Sequence, residues 1–92
     1  MNIKLDTSWI KDKKWWLEHH YPCTIIKDRY QGAYSGGEWT CWPCDENKVP
    51  KEQRGDDITC MDFWNLVDKS IIGIGETPQT ALGDLIDKLE NL

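Results

Sequence analysis

Residues 29–44 read RYQGAYSGGEWTCWPC and decide the fold predicted for this chain. Gly36 and Gly37 can adopt the positive φ that a tight turn requires, and strand-forming residues follow them. A partner strand precedes the turn at residues 23–27, where CTIIK is short and rich in β-branched side chains. The sequence therefore predicts an antiparallel pair whose second strand spans residues 38–42.

A helix is predicted before this hairpin, over residues 9–20, with Thr7 or Ser8 as its N-cap. Its apolar residues recur at helical spacing, but Trp15 falls outside that stripe and is expected at the surface. Apolar and polar residues alternate over residues 1–8, which predicts an ordered arm or a short strand there.

Residues 45–57 are polar and predict a loop insertion longer than a routine connection. A second helix follows, with Thr59 as its N-cap, and then a third strand at residues 71–74. Thr77 caps the last helix, which has a proline in its first turn and a regular apolar stripe. The order α-β-β-α-β-α predicts a single α+β domain, residues 1–92, in which helices cover a small, mainly antiparallel, three-stranded sheet.

The chain is acidic, with 11 basic and 16 acidic residues and a net charge of −5. Residues 1–30 carry a net charge of +2, residues 31–60 carry −3 and residues 61–92 carry −4. A protein that follows a phosphate backbone needs a basic face, so direct binding to a nucleic-acid backbone is not expected. An acidic surface suits a basic protein partner, or it simply keeps a small protein in solution.

No apolar stretch is long enough for a signal peptide or a membrane span, so a cytoplasmic protein without a membrane partner is expected. Six tryptophans exceed what the aliphatic residues before Ile71 can surround. Alternation along the second strand puts Trp39 and Trp42 on opposite faces and predicts that one of them faces solvent or a partner. A tryptophan with no core to enter can be buried between subunits, which favours a homodimer.

The cysteines offer one motif, CWPC at residues 41–44, which has the form of thiol–disulfide exchange sites. The acids that follow Cys44 raise the thiol pKa and oppose that chemistry. A zinc site would draw on this pair, on Cys23 and Cys60, and on the adjacent His19 and His20. Structural zinc sites, however, usually show two pairs of ligands that are close in sequence. A zinc or thiol-redox module stays an alternative, while the predictions are no metal, no cofactor and no catalytic residue.

Aromatic rings beside one arginine in the hairpin can stack on a planar base or nucleotide. Asp56 and Asp57, just ahead of the second helix, could bind a cation or a basic partner; the alternative is a solvated pair that favours the helix dipole. The predicted ligand- or partner-binding residues are Arg29, Tyr30, Tyr34, Trp39, Trp42, Asp56, Asp57 and Trp64. The alternative is that Trp39 and Tyr30 are core residues and that the tyrosines brace the loop.

The stretch RYQGAYSGGEW and the later GDD, FW and IGIGETPQTAL resemble small proteins encoded by bacteriophages and prophages. The order of elements is similar to the phage helix–sheet–helix (ABA) sandwich proteins over residues 28–89. This resemblance implies a non-enzymatic binding protein that counteracts a host defence system, either by inhibiting a host protein or by sequestering a nucleotide signal. The final third is also similar to HicB-type antitoxins, which implies an antitoxin that neutralises a basic ribonuclease toxin.

Overall fold

The computed structural model describes residue 5, residues 7–10 and residues 12–92. Within these residues the α-helices are Lys13–His19 (α1), Asp57–Leu66 (α2) and Pro78–Glu90 (α3). The strands are Thr24–Lys27 (β1), Trp39–Trp42 (β2) and Gly73–Gly75 (β3). Short 3-10 helices lie at Thr7–Ile10, Glu46–Lys48, Lys51–Arg54 and Lys69–Ile71. The predicted α+β class and the order α-β-β-α-β-α are confirmed.

The sheet is antiparallel and has β2 at its centre. Ile25 pairs with Cys41 across β1 and β2, and Thr40 pairs with Ile74 across β2 and β3. The predicted hairpin pairing is thus confirmed. The third strand begins two residues later than predicted, because the chain makes a 3-10 turn at Lys69–Ile71 before it enters β3.

The two adjacent glycines of the hairpin loop have different roles. Gly36 has the positive φ of 102° that the loop requires. Gly37 allows a close approach instead, because an added Cβ would lie 2.7 Å from Cγ2 of Ile74 and 2.9 Å from the backbone nitrogen of Gly75. The pair therefore serves both the turn and the packing of β3 beside it.

Both faces of the sheet are covered by hydrophobic clusters. The α2-side core consists of Trp42, Cys44, Val49, Cys60, Phe63, Trp64, Val67 and Ile72. The α3-side core consists of Trp16, Cys41, Ile71, Ala81, Leu85 and Leu89. Because successive strand side chains point to opposite faces, Trp42 enters one core and its neighbour Cys41 enters the other.

Trp42 is fully buried and Trp39 is half-buried at the margin of the α3-side core. The prediction that one of the two rings faces solvent or a partner assumed that a helix covers only one face of the sheet. That assumption is wrong, because α2 and the segment before it close the second face over Trp42.

The first helix is shorter than predicted. Residues Thr7–Ile10 form a separate 3-10 helix, and α1 begins at Lys13 with Asp12 as its N-cap. Oδ1 of Asp12 accepts a hydrogen bond from the Trp15 backbone N–H at 3.1 Å, which replaces the predicted threonine or serine cap. The predicted exposure of Trp15 is confirmed, at 44 %. Of the predicted arm, residues 1–4 and 6 lie outside the described residues.

The caps of the other two helices are well defined. Asp56 caps α2 by accepting the Thr59 backbone N–H at 2.8 Å, so the prediction that Thr59 is the cap is wrong and the helix begins earlier. The predicted cap of α3 is confirmed, because Oγ1 of Thr77 accepts the Thr80 backbone N–H at 3.1 Å. Oγ1 of Thr80 accepts the Thr77 backbone N–H in return, at 2.9 Å.

Residues 45–57 contain more order than the predicted polar loop. Two 3-10 helices, Glu46–Lys48 and Lys51–Arg54, carry the chain over the α2-side core. Within this segment, Val49 and Gln53 are buried. Few apolar residues thus suffice to close this side of the sheet, because most of the segment stays solvated.

α3 lies on β3 and also binds its open edge. Oδ2 of Asp84 accepts the Ile74 backbone N–H at 2.8 Å. Nζ of Lys88 donates to the Ile72 carbonyl oxygen at 2.7 Å and lies 2.9 Å from Oδ2 of Asp84. These contacts satisfy backbone groups that β2, on the other side of β3, does not reach.

Candidate functional site

Arg29 and Tyr30 attach the β1–β2 loop, residues 28–38, to the segment before α2. Nη1 of Arg29 donates to the carbonyl oxygens of Arg54 and Gly55, at 3.1 and 3.0 Å. The Tyr30 hydroxyl donates to the same Gly55 oxygen at 3.0 Å. The Arg29 guanidinium also lies 5.3 Å from the Tyr30 ring centroid, within cation–π range.

Tyr34 adds the third attachment. Its hydroxyl donates a hydrogen bond to Oδ1 of Asp57, and its ring packs edge-on against Tyr30 with centroids 5.5 Å apart. The hydrogen bond to the carboxylate raises the pKa of Tyr34 to about 12, so the phenol stays protonated at neutral pH. Three predicted recognition residues are therefore engaged within the molecule, as the alternative of tyrosines that brace the loop expected.

A buried carboxylate that sequence reasoning missed organises this loop. Asp28 is buried, and its Oδ2 accepts the backbone N–H groups of Tyr30 and Gly32 at 3.2 and 2.6 Å. Its Oδ1 is also buried and has no hydrogen-bond partner among the described residues. The available signal was an aspartate directly before a glycine-rich loop, which is the arrangement of an Asx turn.

Trp42 and Trp64, both predicted to bind a ligand or partner, are core residues, and neither ring is exposed at the surface. Their ring centroids lie 5.9 Å apart, and both pack on Phe63. Nε1 of Trp42 donates to Oγ1 of Thr40 at 2.9 Å, so its polar group is satisfied inside the molecule. The physical reason is the second covered face of the sheet, which gives each indole a core to enter.

The five hairpin residues do not form one stacking platform. Tyr30 and Tyr34 pack against the α2-side core, whereas Trp39 packs against the α3-side core on the opposite face of the sheet. Trp42 lies inside. A planar ligand cannot contact Trp39 and the tyrosines together, because the sheet separates them. The predicted residues that remain accessible are Arg29, Asp56 and Asp57, with parts of Tyr30, Tyr34 and Trp39.

The two thiols that lie in contact are not the two thiols of the CWPC motif. Sγ of Cys23 lies 3.3 Å from Sγ of Cys41, and all four cysteines are free. The hydrogen bond between these two thiols lowers the pKa of Cys23 and raises that of Cys41. Burial and then the Asp45 carboxylate raise the pKa of Cys44 to about 12.

Thiol chemistry in this fold would therefore start at the half-buried Cys23, with Cys41 as its neighbour, and the motif itself does not supply an activated nucleophile. Across the described part of the chain, no three His, Cys, Asp or Glu side chains are grouped so that they could hold a metal ion. In the same residues, none of the helices is long and apolar enough to cross a membrane.

α2 exposes a second apolar stripe opposite its core. Ile58 is 69 % exposed, and Met61 and Leu66 are each 38 % exposed. We call this stripe, with the exposed Asp62 and Asn65 between its members, the outer face of α2. Sequence reasoning missed it because α2 carries apolar residues on all sides, which obscures the periodicity that separates core from surface.

Negatively charged side chains lie at the beginning of the outer face of α2. Asp56 and Asp57 are exposed at the helix N-terminus, and Asp62 lies on the stripe itself. Hydrogen bonds from Thr59 keep the pKa of Asp56 below its ordinary value, so this carboxylate stays ionised at neutral pH. The helix thus presents apolar side chains within an acidic field.

Two concave regions lie on the surface of the described residues. An open cavity of about 740 Å³ lies between the β1–β2 loop and the 3-10 helices, and its charged lining residues are Arg29, Glu46, Lys51 and Arg54. A narrower cavity of about 290 Å³ has an aromatic lining from the chain around α1. We call these the basic cavity and the aromatic cavity. Neither includes Trp42 or Trp64.

No family model, curated protein or solved structure matches this chain. The resemblance to phage proteins and to HicB-type antitoxins stays a prediction, and the function has to be inferred from the geometry of the described residues.

Proposed function

We propose that this chain is a non-enzymatic binding protein that docks on a basic protein through the outer face of α2. The observation that carries the proposal is the exposure of Ile58, Met61 and Leu66 on a helix whose opposite side is already fully packed. An amphipathic helix that lays apolar side chains into a groove is a recurrent mode of protein recognition. Ile58, at 69 % exposure, has the area of an anchor residue.

The charges specify the partner. Asp56 and Asp57 border the apolar stripe and Asp62 lies on it, so a partner with lysine or arginine around an apolar groove is complementary to it. The phage resemblance favours a component of a host defence system as this partner. The HicB resemblance favours a basic ribonuclease toxin, and a small basic toxin gene beside the gene for this chain would distinguish that alternative.

The first test is site-directed cross-linking. A photo-reactive residue at Met61 should capture a protein rich in lysine and arginine, whereas the same group at the exposed Asp87 of α3 should not. Charge reversal by Asp62→Lys should reduce the adduct, because it places like charges at the interface. Capture of one protein equally from both positions, or of an acidic protein at position 61, contradicts the proposal.

With the captured partner in hand, Ile58→Ser should weaken binding by roughly tenfold or more, since truncation of an anchor residue commonly costs above 1 kcal/mol. The melting temperature should change little, because the side chain is exposed. Ile25→Ser, at an exposed isoleucine of β1, is the matched control and should leave binding unchanged.

The second candidate function is sequestration of a nucleotide signal, and the basic cavity supports it better than a stack of hairpin rings does. The basic cavity brings Arg29, Lys51 and Arg54 together against one acid, Glu46, in a chain that is acidic as a whole. Its volume of about 740 Å³ lies within the range of ligand pockets, about 300–1,000 Å³. Phosphate oxygens suit arginine and lysine side chains.

Calorimetric titration with linear and cyclic nucleotides tests this candidate. Binding that Arg54→Gln weakens at least about tenfold, with Arg29 left intact to hold the loop, supports it. The expected control is Lys69→Gln, which removes a cation outside the cavity. If none of the nucleotides gives heat of binding, the nucleotide function is excluded, and the proposal for the outer face of α2 is unaffected.

A further inference from the structure

Aromatic side chains line much of the aromatic cavity. Trp9, Trp15, Trp16 and Tyr21 line it, together with Pro22 and the buried Cys44. Its volume of about 290 Å³ is close to the lower end of ligand pockets, which suits a small molecule rather than a nucleotide. The sequence prediction placed the exposed aromatic surface at the hairpin, and the structure places this one around α1 instead.

Hydrogen bonds and ring contacts hold these rings in place. Nε1 of Trp16 donates to the Pro22 carbonyl oxygen at 2.8 Å, so its polar edge is satisfied and the ring serves as an apolar wall. Trp15 stacks on His19 with centroids 4.2 Å apart and an interplanar angle of 17°. Trp9 packs edge-on against the buried Trp42 at 6.5 Å. A ligand would therefore meet rings that are already ordered, which lowers the entropic cost of binding.

Among the described residues, the charged side chains of the lining are two carboxylates, Asp12 and Asp45, and one ammonium group, Lys48. This described part of the lining thus has an excess of one negative charge. Burial and Asp45 keep the pKa of Cys44 at about 12, so its thiol adds no charge at neutral pH. Asp12 also accepts the backbone N–H of Trp15, which fixes this carboxylate beside an indole of the wall.

We propose that the aromatic cavity is a binding site for a small organic ammonium ion. The faces of indole and phenol rings attract cations, and methylated ammonium groups combine a positive charge with an apolar surface that packs against such rings. The acidic lining adds long-range attraction and opposes anionic ligands. The site uses none of the residues of the outer face of α2, so it stands independently of the proposed docking function.

Choline is the probe, and 3,3-dimethylbutan-1-ol, its uncharged isostere, is the matched control ligand. At constant ionic strength, choline should change the tryptophan fluorescence and the indole N–H resonances in a saturable manner, with a dissociation constant in the millimolar range. The isostere should bind at least about tenfold more weakly, because it lacks the charge that interacts with the rings. Equal affinities, or no saturation by choline, overturn the proposal.

Three variants and one control variant locate the site. Asp45→Asn should weaken choline binding severalfold, whereas Glu46→Gln, at the neighbouring acid that lines the basic cavity, should not. Lys48→Met should strengthen it, because this change removes the cation of the lining. Trp15→Leu should weaken choline binding severalfold, measured on the indole N–H resonances of the remaining tryptophans, without unfolding the protein, since Trp15 is exposed. Equal effects of the Asp45 and Glu46 variants, or weaker binding by Lys48→Met, contradict the assignment.

Discussion

Trp42→Ala should lower the melting temperature by about 12–40 °C, because removal of a buried tryptophan costs about 3–5 kcal/mol and each kcal/mol is worth about 4–8 °C in a domain of this size. Trp42 is 0 % exposed and packs on Trp9, Phe63 and Trp64. The change also leaves Oγ1 of Thr40 without the indole N–H that it accepts. Circular dichroism during thermal and urea denaturation measures the loss.

Trp15→Ala is the matched control for this prediction. It removes the same side chain from a position that is 44 % exposed, and we expect a change below about 1 kcal/mol in the free energy of unfolding. Equal destabilisation by the two variants would mean that Trp42 does not occupy a closed core, which contradicts the description of the α2-side core.

A pair of glycine variants should shift stability in opposite directions. At Gly73 in β3, an added Cβ would overlap the carbonyl oxygen of Ala81 and lie 2.7 Å from Cβ of Leu85. α3 would have to move away from the sheet, so we expect Gly73→Ala to cost about 3 kcal/mol or more. At Gly83 in α3, an added Cβ meets no atom of the described residues within 4 Å, and Gly83→Ala should stabilise the helix by about 0.5–1 kcal/mol.

Urea denaturation of the two variants beside the unchanged protein measures both effects. A neutral Gly73→Ala would show that α3 does not approach β3 as closely as described. A destabilising Gly83→Ala would show that the middle of α3 has a neighbour on its exposed side. Each result contradicts a different contact, so the two can be interpreted separately.

Local signals in the sequence were enough to locate an element where the residue type concerned favours a single backbone conformation. The Thr77 cap with a following proline located the start of α3, and the β-branched run before the glycine-rich loop located β1. The start of α1 was missed because Thr7, Ser8 and Asp12 are all good caps, and the choice among them depends on how Trp9 packs against both cores.

The candidate sites were less accessible to sequence reasoning, because they depend on which side chains a covering segment buries. Residues 45–57 appear polar, yet they help to close the second face of the sheet, because Val49 packs in the same core as Trp42. α2 has apolar residues on every side, and only packing separates the buried Trp64 from the exposed Ile58. The contact between Cys23 and Cys41 follows from strand register, which the CWPC spacing does not encode.

The edge contacts of α3 bear on self-association. β3 lies at the edge of the sheet, and an open edge offers backbone groups to which another chain can add a strand. Here Asp84 occupies the outward N–H of Ile74 and Lys88 occupies the outward carbonyl of Ile72. A second copy could extend the sheet across β3 only by displacing both side chains and breaking their ion pair, so the protein protects this edge against edge-to-edge aggregation with its own last helix.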